Sequence, residues 1–220
     1  MLLLDVSPLL IDQVQVIRKS QIKNGLKFDD IVLDPSVTAI DIPAYSCNET
    51  TSFFDLSKCP KLQKISIGSR SFECVSQLHI HDMHELRTIE FASRVFMTSV
   101  NSKPSGAFSV VNCEKLQSIR MGPLSLTHFN NEFSLVNLPE LTDLQIGVLG
   151  DYSSNFYQMS FCVKGRFDVR SRRVDLPKLK RIILGNEAFQ YSQYTYIESR
   201  RIGCARFLCR SSGIGGDPHR

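Results

Sequence analysis

The residues best equipped for chemistry are His79-Ile80-His81-Asp82-Met83-His84. Two residues apart on an extended segment share a face, so His79 and His81 would stand side by side. Asp82 or His84 would reach them round a following turn. Imidazoles and a carboxylate at this spacing are donors for zinc, which needs three or four converging ligands. The positions are also generic. In the repeat set out below, His79 falls where Asp55, Ser109 and Ser134 fall in other copies, at an outward polar position. The sequence therefore predicts no metal site and no cofactor.

Two further groups carry reactive or charged chemistry. The cysteines are Cys47, Cys59, Cys74, Cys113, Cys162, Cys204 and Cys209. Their number is odd, their spacing irregular, and no Cys-x-x-Cys pair occurs, which fits free thiols better than a disulfide framework or a zinc knuckle. Cys204 and Cys209 form no supported redox pair, and Cys59 and Cys113 read as packing residues. Lys164, Arg166, Arg170, Arg172, Arg173, Lys178, Lys180 and Arg181 form a basic stretch. Residues 164–220 carry 13 Lys/Arg against 5 Asp/Glu, whereas residues 1–163 carry 13 against 17. Such a stretch can meet the phosphates of nucleic acid or an anionic membrane surface. It lacks the interleaved aromatic platform of single-strand binders, apart from Phe167. No phosphate loop, nucleophile elbow or motif-bound carboxylate pair is present, so the chain is not expected to be an enzyme.

The elements that must position these residues come from an internal repeat. Phe54-x-Leu56-x-x-Cys59-Pro60-x-Leu62-x-x-Ile65-x-Ile67-Gly68 is its clearest copy. The same spacing recurs at Leu78, Ile80, Met83, Leu86, Ile89 and Phe91. It returns at Phe108, Val110, Cys113, Leu116, Ile119 and Met121, and at Phe133, Leu135, Leu138, Leu141, Leu144 and Ile146. A weaker copy uses Ile31, Asp34, Val37, Ile40 and Ile42; another keeps only Leu176, Leu179, Ile182 and Leu184, with Arg173 in an apolar place. Steps between copies are 25, 24, 30, 25 and 38 residues, measured from Ile40 through Ile65, Ile89, Ile119 and Leu144 to Ile182. Two steps carry insertions, one around Asn101–Gly106 and one over 150–173.

The spacing predicts two short strands per copy. Ile65-x-Ile67 alternates with period two, so both side chains face one way while Lys64 and Ser66 face the other. Pro60 turns the chain between strands, and Gly68, Gly122, Gly147 and Gly185 are expected to end the second strand in a turn. One copy cannot bury its apolar face alone; stacked copies in parallel register bury all of them together. Phe54, Phe108 and Phe133 should align, as should Phe72, Phe96 and Phe189. Ser7-Pro8 before Leu9–Ile17 reads as a capped amphipathic helix covering the first copy, with an irregular strand pair as the alternative.

Leu62-x-x-Ile65-x-Ile67 resembles the strand signature of leucine-rich repeats. The longer Cys59-x-x-Leu62-x-x-Ile65-x-Ile67 is similar to the bacterial-surface-type (BspA-like) repeats also found in protists. The resemblance covers about residues 31–190. It implies a mainly β leucine-rich-repeat solenoid of about six coils with short parallel strands, binding proteins or glycans along exposed strand positions. The chain departs from the pattern in its long insertions, its partly kept Asn/Cys positions and the lack of a regular helix between strands. The division that follows is an N-terminal cap over 1–30, a solenoid over 31–190 and a basic, disordered tail over 191–220.

With 42% hydrophobic and 22% charged residues, the composition is that of an ordinary folded chain. No apolar run approaches the roughly 20 residues of a membrane span. The opening Met1–Asp5 lacks a basic leader region, so a cytoplasmic location is expected. The expected function is a protein-interaction scaffold or recognition module. Its binding strip comprises Lys64, Ser66, Thr88, Glu90, Ser118, Arg120, Asp143, Gln145 and Arg181, which alternate with the buried Ile/Leu positions. The alternative is nucleic-acid or anionic-membrane binding through residues 164–181.

Overall fold

The computed structural model describes residues 33–49, 56–97, 106–129, 132–149, 152–156, 176–185 and 188. It also describes the backbone of the strand segments at 15–16, 53–54, 161–164 and 195–198. Thirteen strands run in chain order: β1 (Gln15–Val16), β2 (Ala39–Ile42), β3 (Phe53–Phe54), β4 (Lys64–Ile67), β5 (Gln77–His81), β6 (Thr88–Phe91), β7 (Ala107–Val111), β8 (Ser118–Met121), β9 (Glu132–Val136), β10 (Asp143–Ile146), β11 (Phe161–Lys164), β12 (Arg181–Leu184) and β13 (Thr195–Glu198). The described part is mainly parallel β-sheet.

From β2 to β10 consecutive strands alternate between two sheets, and β11 pairs with β13 in a third. The first has seven strands in the order β1-β2-β4-β6-β8-β10-β12, and the second has four in the order β3-β5-β7-β9. All pairings are parallel. Register follows the sequence repeat without slip. Ile40, Ile65, Ile89, Ile119, Leu144 and Ile182 lie side by side across the large sheet. In the small sheet Phe54, Leu78, Phe108 and Phe133 are aligned, so Leu78 breaks the expected aromatic row. A one-residue slip would turn every apolar row to solvent, so burial itself fixes the register.

The inward rows of both sheets belong to one apolar cluster, including Ile65, Ile67, Leu78, Ile80, Ile89 and Ile119. Phe72 and Phe96 stack at 5.2 Å and Phe96 meets Phe129 edge-on at 6.2 Å. Phe189, the expected third member, lies outside the described residues. The turn between strands is the same in every copy. Val37, Leu62, Leu86, Leu116, Leu141 and Leu179 each donate their N–H to the carbonyl three residues earlier. Cys59, Met83, Cys113 and Leu138 sit buried at the head of that turn. Burial pushes the Cys113 thiol up to about 11, so it stays protonated as a packing residue.

The corner after each strand of the large sheet is built differently from expectation. Among the four glycines there, only Gly147 has positive φ, at 80°. The others are required by close approach. A Cβ on Gly68 would strike the Ala44 backbone, and one on Gly122 would come within 2.7 Å of the Ala92 carbonyl carbon. The left-handed conformation falls on bulkier residues, in pairs two apart: Tyr45 and Cys47, Arg70 and Phe72, Arg94 and Phe96, Leu124 and Leu126, Ser154 and Phe156. Each such residue costs about 1–2 kcal/mol. The strain is offset by stitching to both neighbours: Arg70 donates forward to the Ser93 carbonyl and Phe72 backward to the Ser46 carbonyl.

Gln15–Val16 is a strand in parallel register with β2, as in the strand alternative to the capping helix; β-branched Val16 favours this, and the edge of β2 supplies the backbone partners. The second insertion contributes to the core, because Phe156 packs on Phe133 at 5.0 Å and on Phe108 at 6.0 Å. Thr195–Glu198, placed in the tail, is a strand paired with β11. The rest of residues 1–30 and 191–220 lies outside the described residues. Among the described residues no helix is long and apolar enough to cross a membrane.

Candidate functional site

Alternation along the strands of the large sheet leaves two outward rows. The first runs Ala39, Lys64, Thr88, Ser118, Asp143 and Arg181; the second runs Asp41, Ser66, Glu90, Arg120, Gln145 and Ile183. All nine residues singled out from the sequence fall in these rows. Asp41 belongs with them and was missed, although Ile40-Asp41-Ile42 carries the same alternation. Ile183 places an apolar side chain at the far end of the second row.

Every large-sheet strand from β2 to β12 presents one charge on this face, and the sign alternates: Asp41, Lys64, Glu90, Arg120, Asp143, Arg181. Lys64 Nζ lies 3.3 Å from Glu90 Oε2. Asp143 accepts from both arginines, at 3.1 Å from Arg120 Nη2 and 2.6 Å from Arg181 Nη2. This double clamp covers Asp143, which is only 8% exposed rather than the open surface residue expected. The Arg181 hydrogen bonds hold its carboxyl below the ordinary carboxylate range; burial works against them and Arg120 adds to the lowering. Glu90 and Arg120 are register partners, yet each forms its ion pair with the neighbour on its other side. Asp41 has no ion pair among the described residues.

A groove of about 700 Å³ lies over the second row. Asp41, Ser66, Glu90 and Arg120 form its polar floor, and Pro43, Gly68 and Ala92 close the strand ends. Small residues there let neighbouring turns pack tightly, which keeps this wall low. More of the lining is apolar than polar, so the charged groups stand on a largely apolar surface and can add direction to a contact that also buries apolar area.

The histidine cluster sits on the other sheet. His79 Nδ1 and His81 Nε2 lie 2.6 and 2.7 Å from the same Ser109 Oγ. Asp82 instead accepts from Asn112 Nδ2 at 2.8 Å, and His84 faces Glu114 at 3.4 Å. The four therefore do not converge. Ser109 is 2% exposed beneath the two rings, which leaves its hydroxyl no room to meet a substrate.

Most of the basic stretch lies outside the described residues. Within them, Lys178 is bound to the Glu140 carboxylate at 2.7 Å and Arg181 to Asp143. These two cations are partnered by carboxylates of the preceding copy, whereas Lys180 is exposed with no ion pair among the described residues. Compared with known proteins, the chain matches no family model, no curated protein and no solved structure.

Proposed function

We propose that the chain is a leucine-rich-repeat solenoid of six coils, resembling the bacterial-surface-type repeats, that works as a protein-interaction module. The partner docks on the outward face of the large sheet. One observation carries the reading: the groove over Asp41, Ser66, Glu90 and Arg120 crosses four successive strands whose backbone is fixed by unbroken register. Such a floor is rigid, and it offers side chains of both signs, which favours a specific polar partner over a purely electrostatic one. The clamped Arg181 and Lys178 weigh against the alternative, phosphate binding through residues 164–181.

The test is a pull-down with the intact chain and two bulky substitutions. Ser66→Trp fills the groove while leaving every ion pair in place; Gln77→Trp loads an exposed position of the other sheet. The parent and Gln77→Trp are expected to capture the same partner and Ser66→Trp to lose it. Equal capture by all three overturns the docking face. Capture that collapses with added salt in every variant would instead support the phosphate reading.

A further inference from the structure

The alternating charges of the sheet face are not evenly satisfied, and the imbalance has a direction. At the β2 end, Asp41 stands exposed with no ion pair among the described residues. Lys64 and Glu90 then neutralise each other. Past the register pair Glu90 and Arg120, which form no ion pair with each other, one carboxylate, Asp143, serves two guanidiniums, Arg120 and Arg181. The groove therefore begins at an open negative charge and ends at a surplus positive one. Both Asp41 and Arg120 line it.

The distance between these poles is set by the sheet. Asp41 and Arg120 occupy the same row on β2 and β8, three strand spacings apart. At about 4.7–4.9 Å per spacing, the separation is about 14 Å. An extended peptide advances about 3.3 Å per residue, so about four residues bridge it. Residues four apart on an extended chain lie on the same side, since side chains alternate with period two. One face of a peptide can therefore meet both poles at once.

We propose, resting on the docking face argued above, that the groove takes an extended peptide segment crossing the strands. The segment carries a lysine or arginine against Asp41 and, four residues away, an aspartate or glutamate against Arg120. Ser66 and the Lys64–Glu90 pair between the poles accept uncharged side chains.

Peptide display against the intact chain tests this, with folding of each protein checked by circular dichroism. Binders of the parent should be enriched in a basic and an acidic residue four apart, in one consistent order. The double substitution Asp41→Lys with Arg120→Glu inverts the poles and should select the opposite order. Asp41→Asn, which removes no ion pair, should weaken a selected peptide by about tenfold; this keeps the proposal testable if the double variant does not fold. Binders without the charged pair, or an unchanged order after inversion, overturn the polarity. If those binders are still blocked by Ser66→Trp, the docking face itself stands. Binders indifferent to Ser66→Trp, or no binders at all, overturn both.

Discussion

At the scale of single residues, buried polar groups tie neighbouring copies together. Ser71 Oγ donates to the Pro43 carbonyl and accepts from the Ser46 N–H, both at 3.1 Å. Ser125 Oγ repeats this with the Ala92 carbonyl at 2.7 Å and the Val95 N–H at 3.2 Å. Asn155 Nδ2 reaches the carbonyls of Gly122 and Ser125. Ser125→Ala leaves a buried donor and acceptor unpaired and should destabilise by about 1–3 kcal/mol in urea unfolding. Asp143 makes a pH-dependent contribution. Its folded carboxyl is more acidic than in the unfolded chain, so its contribution is full above the ordinary range near 3.9 and fades as pH falls below it. Asp143→Asn should cost about 1 kcal/mol at neutral pH, modest because the guanidiniums are half in solvent, and the difference from the parent should shrink in acid. The sequence marked Asp143 as an outward residue but could not show its burial, which comes from arginines 23 residues before and 38 after it in the chain.

At the scale of elements, the strands were legible and the corners were not. Ile65-x-Ile67 and its counterparts announce their inward face by period two, and pairing fell on the positions the repeat predicts. The corners rest on left-handed residues such as Arg70 and Phe72, types that rarely adopt positive φ, so nothing local signals them. The turn after β5, β7 and β9 of the small sheet is more readable in hindsight. Asp82, Asn112 and Asn137 take positive φ there, as short polar residues do most easily. Their side chains run head to tail, with Asn137 Nδ2 on Asn112 Oδ1 at 3.0 Å and Asn112 Nδ2 on Asp82 Oδ1 at 2.8 Å. Asn112→Ala loses both bonds and keeps the backbone strain, whereas Asn112→Gly loses the bonds but relieves it. Thermal unfolding should therefore rank the parent above Asn112→Gly and Asn112→Gly above Asn112→Ala. Equal midpoints for the two variants, both well below the parent, would show that the amide bonds, not the conformation, dominate the turn.

At the scale of the whole molecule, stability is distributed along a row of neighbours, so position in the row matters. Ile119 on β8 is fully buried between two strands of the large sheet, while Ile182 stands on its last strand. Ile119→Ala should cost about 2–5 kcal/mol, and Ile182→Ala less, by equilibrium denaturation. The same architecture is what turns four separate side chains into one surface: Asp41, Ser66, Glu90 and Arg120 are 79 residues apart from first to last and meet only through register. That the chain uses this surface to hold a partner is tested most directly by site-specific photo-crosslinking. A benzophenone side chain is placed at Thr88, in the outward row beside the groove, or at Gln77, on the other sheet, and each protein is irradiated with the captured partner. A covalent adduct is expected from position 88 and none from position 77. An adduct from position 77 alone would contradict it and move the binding surface to the opposite sheet.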